Sequence, residues 1–173
     1  MNIDTKAVRP ERPRDITAIH HVNEAAFGRS DEANLVDRLR EAARPFLSLV
    51  AEVDGQVVGH ILFTPVTIES GPAGCKALGL APMAVLPEYQ KQGIGSMLVR
   101  EGLEACERLG YGVAVVLGHP EYYPRFGFTP ASRYGLSCEY PVPDEVFMAV
   151  ELIPGSLDGC EGLVKYHPVF ASL

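Results

Sequence analysis

The stretch Gln90-Lys91-Gln92-Gly93-Ile94-Gly95-Ser96 constrains this chain more than any other, because of what flanks it. Before it, Leu78 to Leu86 reads LGLAPMAVL, an apolar run long enough for a buried strand and too short for a helix. Pro87 and Glu88 then turn the chain. After it, apolar residues recur at Ile94, Met97, Leu98, Leu103, Cys106 and Leu109, a helical spacing that leaves Arg100, Glu101, Glu104, Glu107 and Arg108 for solvent. A strand that delivers a glycine loop to a helix start aims main-chain N–H groups at one point, at the positive end of the helix dipole. That is an anion site, and phosphate is the anion it suits best.

Two familiar phosphate loops are excluded. A nucleoside-triphosphate loop closes with Gly-Lys-Ser/Thr, which is absent, and the dinucleotide pattern G-x-G-x-x-G fails because Leu98 stands where its third glycine belongs. The loop also follows about the fourth strand instead of opening the chain, against a simple Rossmann unit. What remains is Q-x-x-G-x-G followed by Ser96, or, on the plainest reading, a glycine turn that only joins strand to helix. Downstream, the apolar strand Val113 to Leu117 ends at Gly118-His119-Pro120 and leads into Glu121-Tyr122-Tyr123-Pro124-Arg125-Phe126-Gly127-Phe128, which contains Tyr-x-x-x-Gly-Phe as Tyr123, Gly127 and Phe128.

The order strand, glycine loop, helix, strand, Tyr-x-x-x-Gly-Phe over residues 78–128 resembles the GNAT (GCN5-related N-acetyltransferase) family. The wording LGLAPMAVLPEYQKQGIG, LGHPEYYPRFGF and LVKYHPVF resembles its YhbS-like branch. The resemblance implies an α/β GNAT acyl-CoA N-acyltransferase fold: a mixed, mostly antiparallel central sheet, splayed at the cofactor site and flanked by helices. It implies acetyl-CoA as co-substrate. The backbone of Met83, Ala84 and Val85 is then expected along the pantetheine arm. Gln90 opens the pyrophosphate loop, and the N–H groups of Lys91, Gln92, Gly93, Ile94, Gly95 and Ser96 cradle the phosphates. A Cβ at Gly93 or Gly95 would block close backbone approach.

Transfer from a thioester to an amine needs a neutral amine, a held oxyanion and a protonated leaving thiolate. Tyr123 falls on the family position of the general acid, with Tyr122 as the competing residue; a phenol stays protonated at neutral pH and can still donate. Many family members carry an Asn between the strand and this tyrosine, where this chain has Gly118-His119-Pro120, so His119 is a candidate replacement. The strand Val113–Leu117 carries no carboxylate, which leaves Glu24, Glu32, Glu52 or a water chain as base. Arg125 reads as a surface or structural residue. The expected activity is N-acetyl transfer from acetyl-CoA to a primary amine acceptor by direct attack in a ternary complex. The alternatives are a coenzyme A-binding regulatory module without transferase activity and a scaffold that binds nothing.

At 173 residues the chain is expected to form one GNAT acetyltransferase domain over residues 1–173. No apolar run reaches membrane-spanning length and the first residues lack a signal-peptide layout, so the expected location is cytoplasmic, with no membrane partner. A net charge of −7 disfavours nucleic acid and suits a cationic small-molecule or peptide amine. Cys75, Cys106, Cys138 and Cys160 are widely spaced with no CxxC pair; they read as reduced, buried small hydrophobes, not a disulfide framework, and no metal site is expected. Elements are expected at Lys6–Pro10 (strand), Arg14–Phe27 (helix with Ile16, Ile19, His20, Asn23 and Phe27 near one face) and up to Ala43 (helix capped by Ser30 or Asp31). A hairpin Phe46–Val53/Gln56–Ile68 about Asp54-Gly55 follows, then a turn at Gly71 to Gly74. Val146–Leu152 and Leu163–Tyr166 are late strands, and edge strands near the C-terminus allow a homodimer.

Overall fold

The structure, a computed structural model, describes residues 5–69 and 75–172; the turn expected at Gly71 to Gly74 lies outside the described residues. Strand β1 (Lys6–Pro10) leads through a short 3-10 turn at Pro13–Asp15 into α1 (Ile16–Phe27) and α2 (Asp31–Ala42). Gly28 ends α1 in the left-handed region (φ 71°), where its N–H reaches the Glu24 carbonyl. Ser30 stands at the N-cap position of α2 but its side chain makes no capping bond. Asp31 and Glu32 in the first turn and Arg40 in the last match the helix dipole instead.

Strands β2 (Leu47–Val53) and β3 (Gln56–Glu69) form the expected hairpin, Asp54 (φ 52°) and Gly55 (φ 81°) both taking the positive φ of its turn. Then come β4 (Ala77–Val85), α3 (Ile94–Arg108) and β5 (Val113–Leu117), followed by two strands too short to show as patterns, β6 (Thr129–Pro130) and β7 (Leu136–Cys138). Strands β8 (Phe147–Glu151) and β9 (Gly162–Lys165) close the series.

The main sheet runs β1-β2-β3-β4-β5-β8-β6, and the far end of β3 pairs with β9, which pairs with β7. Among the described residues only β4–β5 and β7–β9 are parallel. Along β3, period-2 alternation sends Gly59, Ile61 and Phe63 toward α3, and His60 and Leu62 toward α1 and α2. Helix α3 sits close on the sheet because Gly102 has no side chain: a Cβ there would stand 2.4 Å from the Phe63 ring. On α1 the buried residues are Ile19, Val22 and Asn23; Ile16 and Phe27, expected on the inner face, are exposed, as is Leu109 just past α3.

The feature that matters for function is where β4 and β5 part. Their pairing runs from Ala77–Val113 to Leu80–Val116 and stops. An extra residue in β4 opposite Ile61–Phe63 bulges the strand at that point, and residues 81–85 continue with β3 alone as partner. The side of β4 that faced β5 is left with unpaired main-chain groups in a wedge.

The reading of all four cysteines as free is corrected. Cys75, just before β4, is bonded to Cys160, before β9, with their Cα atoms 5.9 Å apart across 85 residues of sequence. Cys106 and Cys138 are free. Spacing along the chain carries no information about such a long-range approach.

Candidate active site

Past β4, the chain makes a 3-10 turn at Pro87–Tyr89 and enters α3 through Gly93, whose φ of 84° an L side chain rarely adopts. No side chain caps α3, so the N–H groups at its start are left pointing outward. Lys91 also lies in the left-handed region (φ 63°). The Gln90 amide donates to the Val85 carbonyl at 3.0 Å and the Gln92 amide to the Glu88 carbonyl at 3.3 Å, so both glutamines brace the loop. The reason for glycine differs at the two positions. Gly93 has open space around it and is required by its backbone angle, whereas a Cβ on Gly95 would meet the Tyr122 hydroxyl at 3.3 Å.

Three clefts follow one another along this edge. The first, about 360 Å³, is lined by the loop from Gln90 to Ser96, with Val85, Tyr89, Tyr122 and Arg125. The second, about 280 Å³, runs beside Met83, Ala84 and Val85 under Phe27. The third, about 570 Å³, includes Met83, Gly118, His119, Tyr123 and Glu32. The first two share Val85 and Gln90, and the last two share Phe27 and Met83, so they form one trough from the start of α3 to Tyr123. Exposed Phe27 has its use here, as a wall of two of the clefts.

The two adjacent tyrosines are separated by the fold. Tyr122 turns to the loop, its hydroxyl 3.1 Å from Ser96 Oγ, with the Arg125 guanidinium stacked 4.5 Å above its ring. Tyr123 turns inward and is 7% exposed. Burial, with the neighbouring Tyr122, pushes its phenol up to about 12. A Cβ at position 118 would stand 2.3 Å from the Tyr123 ring, so Gly118 admits the ring and excludes a side chain there.

Of the carboxylates considered, Glu32 alone lines the cleft of Tyr123; it is 6% exposed and accepts from Arg29 Nε at 3.0 and 3.1 Å through its two oxygens. Glu24 is half-exposed beside His20, and Glu52 is bound by Arg9 on the β1–β2 edge. His119 lies exposed on the cleft wall, and its carbonyl accepts from Tyr122 N–H. Arg125, read as a surface or structural residue, stands in the wall of the loop cleft with Lys91; its spacing from the glycine loop gave no signal of this.

An edge opened in a sheet beside an uncapped helix start, within this strand order, defines a GNAT-type acyltransferase. Residues 7–131 match the family model of the acetyltransferase (GNAT) domain, and the chain belongs to that family of enzymes, the N-acetyltransferases. It is 38% identical over 164 residues to the uncharacterized N-acetyltransferase YhbS of Escherichia coli K12, covering 94% of this chain and 97% of that one. The crystal structure of E. coli YhbS in complex with CoA superposes with a TM-score of 0.91 at 36% identity, over 99% of this chain and 94% of that one. A GNAT family acetyltransferase from Brucella melitensis, solved with acetyl-CoA, matches at 0.78 and 40% identity, over 96% and 98% of the two chains. No helix among the described residues is long and apolar enough to cross a membrane.

Proposed function

We propose that this protein transfers the acetyl group of acetyl-CoA to a primary amine on a small molecule or peptide, by direct attack within a ternary complex. The observation that carries this is the continuous trough, which joins an anion-binding helix start to a buried phenol with room for an acceptor beyond it. Residues fit the pyrophosphate and the pantetheine arm of the co-substrate. The N–H groups from Lys91 to Ser96, with Lys91 and Arg125, suit the pyrophosphate, and the unpaired edge of Met83, Ala84 and Val85 suits the amide-bearing arm. Acetyl-CoA supplies an activated thioester carbonyl and a thiolate leaving group.

The chain's own groups divide the remaining work. A main-chain N–H of the Met83–Val85 segment holds the developing oxyanion. Tyr123 donates from its hydroxyl to the leaving sulfur; burial raises its pKa to about 12, which keeps the phenol protonated until the thiolate leaves. The bonds balance: the acceptor ammonium first releases one proton to solvent, and then the C–N bond forms, the C–S bond breaks, the nitrogen gives up one further proton and the sulfur gains one. Since Arg29 engages both oxygens of Glu32, His119 is the cleft residue free to receive the proton from nitrogen. A covalent route through cysteine has no support. Cys106 is buried in the core, its thiol pushed up to about 12 by burial, Cys75 and Cys160 are joined, and free Cys138 lines none of the three clefts.

The test is thermal melting with acetyl-CoA, coenzyme A and ATP, followed by thiol release over an amine panel. At a hundredfold excess over Kd, acetyl-CoA is expected to stabilise by about 2.7 kcal/mol, with coenzyme A close behind and ATP inert. No shift with acetyl-CoA overturns the reading. A shift with no thiol release over a broad panel supports the coenzyme A-binding module instead.

A further inference from the structure

The receiving end of the trough is built by parts of the chain that carry no motif. Beyond Tyr123 and Met83 it is walled by Phe27, Glu32 and Leu35 from the first two helices and by Tyr140, Tyr166 and Phe170 from the C-terminal segment. The last three lie outside residues 7–131, which the family model matches. The Tyr166 ring rests directly on the backbone of β4, where a Cβ on Gly79 would stand 2.8 Å from it. Its centroid is 6.1 Å from that of Tyr140 and 5.5 Å from that of Phe170, so the three form one aromatic wall. Its hydroxyl is buried and has no hydrogen-bond partner among the described residues, an unmet demand in that wall.

The lining of this cleft holds few polar side chains that can carry charge, Glu32 and His119. Glu32 is its carboxylate, and among the described residues no lysine or arginine lines it. Arg29, which pairs with Glu32, is 60% exposed and stands outside the lining. Arg29 offsets the Glu32 charge, but the carboxylate keeps acceptor capacity beyond the Arg29 bonds that an ammonium group can use. A carboxylate or phosphate on the same molecule would enter largely apolar surroundings beside Glu32, with no lysine or arginine in the lining to meet it.

We propose that the acceptor is a primary amine carried on an aromatic or other apolar body and bearing no carboxylate or phosphate. Glu32 accepts a hydrogen bond from the ammonium beside Arg29, and the body lies against Tyr140, Tyr166 and Phe170. The inference rests on the transferase reading and specifies the acceptor of that same site.

Three probes of one body decide it: phenethylamine, phenylalaninamide and phenylalanine, the amide controlling for bulk at the α carbon. Coenzyme A-loaded protein is expected to melt higher with the first two and unchanged with phenylalanine. In turnover, phenethylamine is expected to exceed phenylalanine in kcat/KM by at least about tenfold. Glu32→Gln, which keeps an oxygen for Arg29, is expected to raise the amine KM about tenfold and leave the acetyl-CoA KM as it was. Tyr140→Ala, at a half-buried position, serves if that variant does not fold and is expected to weaken phenethylamine binding, read as a higher amine KM beside an unchanged acetyl-CoA KM. Phenylalanine binding as well as its amide overturns the proposal, and so does a protein that binds acetyl-CoA but none of the three probes. Failure to bind acetyl-CoA overturns the transferase reading, and the inference with it.

Discussion

Tyr122 and Tyr123 are neighbours in the chain, yet the 3-10 turn at Tyr123–Phe126 sends them into different clefts, one to the anion loop and one to the transfer point. Their order along the chain shows two phenols and leaves open which is buried. Gly118 decides it, by leaving space for one ring. Tyr123→Phe keeps that ring and removes the donor, so kcat is expected to fall about a hundredfold with acetyl-CoA affinity unchanged, read by single-turnover kinetics and a coenzyme titration. Because the phenol is raised from 10 to about 12, the wild-type rate is not expected to fall from its ionisation as pH passes 10. A rate loss centred near 10 that disappears in the Phe variant would contradict the burial argument, and an unchanged kcat would remove Tyr123 from the role.

Helices α1 and α2 are tied to the sheet by a buried polar chain that no motif announces. Asn23 Nδ2 donates to the Ile19 carbonyl at 3.0 Å and to His60 Nδ1 at 3.1 Å, which fixes the proton of His60 on Nε2. His60 Nε2 then donates to Ser48 Oγ at 2.9 Å, and the hydroxyl donates to Glu11 at 2.7 Å. Glu11 takes both arms of Arg40 at 2.9 Å, and Arg40 reaches Asp37, which accepts from His20. Burial lowers His60 to about 3, with Arg40 adding to the effect and Glu11 opposing it. The folded state therefore holds His60 neutral where the unfolded chain, near 6.5, takes up a proton. Its contribution to stability is whole above pH 6.5 and is lost as pH falls toward 3.

From pH 7.5 to 5.0 this one residue is expected to cost the wild type about 2 kcal/mol in urea-unfolding free energy, and His60→Gln should lose that much less over the same range. The window stays above the range where the lowered Glu11 carboxyl matters. Burial alone would raise Glu11, but Arg40 and Ser48 hold it below its usual 4.5, so its share is lost only at lower pH. Equal pH dependence in the two proteins would mean that His60 is not held neutral.

At the scale of the molecule, four stretches that are separate in sequence converge on the trough: the α1–α2 region, β4 with the loop into α3, residues 116–125, and the segment from Tyr140 to Phe170. The Cys75–Cys160 bond ties the start of the central strand β4 to the segment between Tyr140 and Tyr166 of the aromatic wall. Since it closes a long loop in the unfolded chain, Cys160→Ser is expected to destabilise by about 2–4 kcal/mol. Thermal melts read the loss, and reductant should lower the wild-type midpoint toward that of the variant. A wild type indifferent to reductant, with a variant that melts alike, would show that the bond contributes nothing to stability.

What the sequence determined by itself is local in origin. A nine-residue apolar run, two glycines at a helix start and the spacing of Tyr123, Gly127 and Phe128 made strand, loop, helix and candidate donor legible, because backbone angles and periodicity act over a few residues. Strands β6 and β7 were not legible, being too short for alternation to show. Nor was the burial of Asn23 and His60, since polar residues go inside only when distant partners satisfy them. The tertiary structure alone decided that β4 parts from β5 after Leu80, that Cys75 meets Cys160, that Arg125 joins Lys91, and that Glu32 faces an aromatic wall from the other end of the chain. Each is a contact across many tens of residues, set by how the sheet and helices pack and not by any preference of the residues involved.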